Sequence, residues 1–173
     1  LALVTLASGA LVFGPLLFAR GLRPAPRGLR LRALAYFLCL GLGYLFVEIA
    51  LAQKLILLLD RPVIALAVVL FSLLTFSGAG SLTAPRWPPA LALGLLTAAI
   101  LLSPLGVNLL SAGTLGWPAG WRLFATGLTL APLGFLMGLP FALGLAALER
   151  SSPGLLPWAW GINGAASVIR PPA

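Results

Sequence analysis

Glu48 stands inside an apolar stretch, residues 31–59, where a carboxyl can do one of two kinds of chemistry. Ionised, it binds or passes a cation or a proton; protonated, it hydrogen-bonds and fixes helix packing. Inserting an acid at the centre of a membrane helix costs about 3 kcal/mol, and such groups face a bundle interior or a wet cavity. Gln53 and Lys54 follow closely, so the segment GYLFVEIALAQK carries three polar side chains where lipid-facing filler would carry none.

Geometry on a helix sorts the partners of Glu48. Lys54 is six residues on and about 120° around the helix, unlike an i,i+4 pair, and its ordinary role is to snorkel to the interface. Tyr44 lies one turn earlier on the same face and brings a phenolic donor. Counting back from Asp60 puts Glu48 about 18 Å deep, a depth that the next helix reaches near Ser72 and Thr75. Asn163, set among Gly161, Gly164, Ala165 and Ala166 in PWAWGINGAAS, needs a buried partner for its amide, whereas Asn108 is expected only to cap or turn the end of its helix. The expected intramembrane polar site is therefore Glu48, Gln53, Lys54, Tyr44, Ser72, Thr75 and Asn163.

No catalytic, metal-binding or cofactor-binding set accompanies it. The chain has three acids, no histidine and a single cysteine, Cys39, which lies in an apolar stretch. Disulfide frameworks, thiolate metal sites and imidazole proton relays are thereby excluded within the chain, and no glycine-rich nucleotide loop is present.

The elements that must position these groups are membrane helices. With 61% hydrophobic and 8% charged residues, a water-soluble fold would lack the polar surface to cover itself. The pattern predicts an all-α, polytopic transmembrane bundle forming a single membrane domain over residues 1–173. A span needs about 20 apolar residues to cross about 30 Å of hydrocarbon. Five stretches qualify, residues 1–19, 33–59, 63–83, 90–110 and 123–148, and a partial sixth at 157–169 is too short to cross alone. The start at Leu1 and the ending Ile169-Arg170-Pro171-Pro172-Ala173 read as those of a fragment of a longer chain.

Turn chemistry and small residues add local detail. Asp60 is expected to cap the following helix, with Pro62 at its first position. Gly134, Gly138, Ala142 and Ala146 recur at every fourth position, so one face of their helix offers close backbone approach; Ser77 and Ser81, with Gly78 and Gly80 beside them, form a shorter version. Pro132 and Pro140 are expected to kink their helix.

The formal charge is +8, and five arginines (Arg20, Arg23, Arg27, Arg30 and Arg32) crowd one connection. This is the pattern of a cytoplasmic loop facing anionic lipid headgroups; nucleic acid is not expected, because no soluble domain or aromatic stacking platform accompanies the charge. With that loop inside, Arg86 and Arg150 also fall inside and Arg61 and Arg122 outside. Trp87, Trp117, Trp121 and Trp158 then flank the two interfaces as anchors.

The segment GLGYLFVEIALAQKLILLLDRPVIALAVVLFSLLTFSGAGSL resembles the C-terminal membrane region of bacterial spermidine-synthase-like integral membrane proteins, in its Val-Glu acid, its following Gln-Arg/Lys pair and its FSG-G-S run. MGLPFALGLAALER and PWAWGINGAASV are similar to later parts of that region, so the likeness covers roughly residues 33–168. It implies a bacterial inner membrane location and a soluble transferase-like domain elsewhere in the full chain, with Glu48, Gln53, Lys54 and Asn163 as motif positions without an assigned catalytic role. Asp60-Arg61-Pro62 departs from the Gly-His-Pro common in that family, and the ending departs from its Gly-Ser continuation. Two functions fit: a membrane anchor and scaffold for such a domain, or a transporter or channel module for a cation or polyamine built on Glu48.

Overall fold

The computed structural model describes residues 27–114, 116–151 and 153–168. Within them the chain is helical apart from short connections: α1 (Arg27–Leu59), α2 (Pro62–Thr83), α3 (Pro89–Gly113), α4 (Ala119–Ser151) and α5 (Leu156–Val168). Single 3₁₀ turns at Ala84–Arg86 and Pro153–Leu155 precede α3 and α5. The helices α1 to α4 are long and apolar enough to cross a membrane, the property that an integral membrane protein requires.

Of the five full spans and partial sixth expected, four full spans and one short helix stand among the described residues. Residues 1–19 lie outside them. The last helix has 13 residues, about 20 Å of rise, too little for the hydrocarbon layer. The four spans match expected stretches but run longer. Arg30 and Arg32 wind into α1 because arginine is a good helix former and helix propagation costs little once a nucleus exists.

Prolines set the starts of the helices. Pro62 and Pro89 stand at the first helical positions of α2 and α3, where a missing N–H costs nothing. The expected capping role of Asp60 is not what the connection shows. Asp60 takes φ 52°, the left-handed conformation that closes α1, with its N–H on the Ile56 carbonyl at 2.9 Å. The N-cap of α2 falls one residue later, on Arg61, whose side chain makes no cap hydrogen bond. A connection this short needs one residue to end the first helix, and that residue is no longer placed to begin the second.

The helices divide into two compact units. One comprises Phe46–Leu143: the second half of α1, all of α2 and α3, and most of α4. Its core includes Leu55, Val69, Leu73, Leu130 and Leu139, while large apolar side chains such as Leu57, Phe71 and Leu101 point outward, as lipid-facing residues do. At the end of this unit that holds the Ala84–Arg86 turn, Ala84, Ala92 and Leu139 are buried together under Trp87 and Phe135, whose rings meet edge to face at 6.3 Å.

The other unit holds the described residues up to Leu45 and from Gly144. Phe37 and Ala159 are buried in it, and Gly144 leaves room for the Tyr36 ring, which meets Phe37 edge to face at 5.2 Å.

Candidate functional site

Two sets of contacts in the unit Phe46–Leu143 could serve a function, and they are built by different chemistry. The first is a seam between α2 and α4. A side chain begun at Gly138 would strike the Ser77 backbone, and one begun at Gly80 would strike the Phe135 carbonyl. At Gly134 a Cβ would lie 3.1 Å from Phe76 Cβ and 3.3 Å from Leu73 Cα. Backbones approach this closely only where side chains are absent, so the fourth-residue spacing of Gly134 and Gly138 does mark a packing face. Contacts advance together along both helices, from Ser72 with Gly127 through Phe76 with Gly134 to Ser77 with Gly138, so α2 and α4 run in the same direction. Ser77 and Ser81 turn their hydroxyls onto carbonyls of their own helix, Leu74 and Gly78, and leave the seam to backbone and apolar atoms.

The second set is polar and lies at the end of the unit where α1 stops and α4 starts. Lys54 Nζ donates to Asn108 Oδ1 at 3.1 Å, tying α1 to α3. Arg122 Nη2 donates to the Leu58 carbonyl. Leu58 belongs to the last turn of α1, whose carbonyls have no helical N–H left to receive. Arg122 itself sits in the first turn of α4, where the helix dipole disfavours a cation, and it is balanced by reaching the C-terminal end of α1, where the dipole favours one. Its Nε is buried with no hydrogen-bond partner among the described residues.

The expected polar site is distributed differently. Glu48 is half-buried in the middle of α1 and has no hydrogen bond among the described residues. Ser72, 3% exposed, turns its hydroxyl to α4, where it lies 3.2 Å from the position of a Cβ at Gly127. Thr75 and Gln53 are exposed. Tyr44 and Asn163 fall in the other unit, both half-buried. Of the seven expected residues, only Lys54 is drawn into a hydrogen bond with another helix in this unit, and its partner is Asn108.

Asn108, expected only to cap or turn the end of its helix, lies inside α3 and pairs with Lys54, and Arg122 is a second contact residue that was not among the expected site. Asn108 had a usable signal: Lys54 is five residues before the end of its span and Asn108 two before the end of its own, so the two share a depth. For Arg122 the signal was a lone cation at a helix start, the end that repels it.

A comparison with protein families, curated proteins and solved structures finds no match to this chain. The likeness to the spermidine-synthase-like membrane region rests on the residues quoted for it alone.

Proposed function

We propose that this chain is a membrane anchor and scaffold, in the bacterial inner membrane, that holds a soluble transferase-like domain at the cytoplasmic face, as the spermidine-synthase-like resemblance implies. The observation that carries the reading is the seam, where Gly80, Gly134 and Gly138 bring the backbones of α2 and α4 together. Contacts of that kind have no slack for sliding, which suits a platform better than a moving gate. Lys54 and Arg122 support the same reading, because two cations at one end of the helices oppose the passage of a third.

Glu48 favours a second reading, a path for a cation or polyamine, since it is a carboxyl at mid-depth with no hydrogen bond among the described residues. Uptake of spermidine and of monovalent cations into proteoliposomes separates the two. The anchor reading expects uptake equal to that of protein-free vesicles, for the native chain and for Glu48→Gln alike. Uptake that the native chain supports and Glu48→Gln abolishes would overturn it.

A further inference from the structure

An apolar groove of about 580 Å³ runs along the outside of the α2–α4 pair. Val63, Phe71 and Phe76 form one wall, Phe124 and Leu128 the other, and Ala67 and Gly127 leave space between them. From Val63 to Phe76 the groove follows α2 for about 20 Å, close to the depth of one leaflet. It opens outward: Val63 is 81% exposed and Phe71 72%. Its lining is almost wholly apolar and open along its length, a surface that suits a flexible hydrocarbon chain.

Charge stands in the sequence beside one end of the groove. Val63 and Leu123 line it near the starts of α2 and α4; Arg61 stands two residues before the first and Arg122 one residue before the second, so two arginines stand where these helices begin. The Arg61 side chain is exposed and makes no hydrogen bond among the described residues; of the five N–H donors of Arg122, Nη2 serves Leu58, Nε is buried, and the rest remain for a ligand. We propose that this groove seats one acyl chain of an anionic phospholipid, with the acidic headgroup held by Arg61 and Arg122. The arrangement places apolar surface along the chain and cationic forks at the phosphate, the two requirements of such a ligand. The site is independent of the anchor reading and of the basic connection at residues 20–32.

The test uses the full chain in nanodiscs containing phosphatidylglycerol with a photoactivatable group in the acyl chain, or the matching phosphatidylcholine. Labels are expected on peptides covering residues 63–76 and 123–128, with about a fivefold preference for phosphatidylglycerol. Ala67→Trp, which fills the groove from an exposed position, should cut labelling at least about tenfold. Arg61→Gln should remove most of the headgroup preference while leaving acyl labelling in place. Equal labelling by both lipids, or labels spread evenly over outward residues such as Leu101 and Leu102, overturns the proposal. So does capture of a second copy of the chain, or of its own residues 1–19, by a photoreactive phenylalanine analogue at position 71.

Discussion

The α2–α4 seam and the Lys54–Asn108 bridge join helices of the same unit in opposite ways. In the seam, side chains are removed so that backbone meets backbone; at the bridge, two side chains reach out across the space between helices. The first has little tolerance, because a Cβ added at Gly80 or Gly138 has only main-chain atoms to displace. The second has ample tolerance, since a lysine of four methylenes adjusts its reach and the pair stands exposed. The difference teaches that rigidity in this protein resides in its glycines and that its charged groups adjust to the frame those glycines set.

The largest effect should come from breaking the seam. Gly80→Ala is expected to cost about 3 kcal/mol, the upper end of overpacking penalties, in reversible unfolding from mixed micelles. Gly78→Ala, two residues away with nothing within 4 Å of the new Cβ, should be neutral or stabilise by up to about 1 kcal/mol through helix propensity. If the two variants unfold alike, the seam does not hold the helices.

A smaller effect is expected at the helix end. Arg122→Met should lose about 2 kcal/mol, the value of a hydrogen bond from a charged donor to a carbonyl left over at a helix end; Arg122→Lys, which keeps a donor, should restore at least half. Loss in the lysine variant equal to that in the methionine variant would show that packing of the side chain, and not the bond to Leu58, is what counts.

The smallest effect sharpens the contrast. A double-mutant cycle on Lys54→Met and Asn108→Leu should give a coupling of about 0.6 kcal/mol, typical of polar pairs between membrane helices. A coupling as large as the Gly80→Ala loss would erase the distinction between the two regions.

Much of the frame was legible in the sequence. Long apolar runs name the four spans because hydrocarbon admits no unpaired backbone, and the glycine spacing at 134 and 138 names the seam because helical periodicity leaves no other face for it. The polar site was read less well. Depth could be counted from Asp60, but the direction in which Ser72 points depends on which helix is its neighbour, and sequence spacing holds no information on that. Lys54 met Asn108 for the same reason: the pairing of α1 with α3 is a tertiary fact. Asp60 was assigned to the wrong helix because a capping residue and a left-handed closing residue have the same composition and differ by one position.

That closing residue also bears on how the pair α1–α2 enters a membrane. Only Asp60 and Arg61 separate the two helices, so the pair inserts as a hairpin whose tip carries one negative and one positive formal charge. A single charge crossing the membrane does work of about 2.3 kcal/mol per 100 mV, but this tip carries none in sum. The two connecting residues therefore add no net work against the membrane potential, and the direction of the hairpin is left to the charges beyond them, Lys54 included.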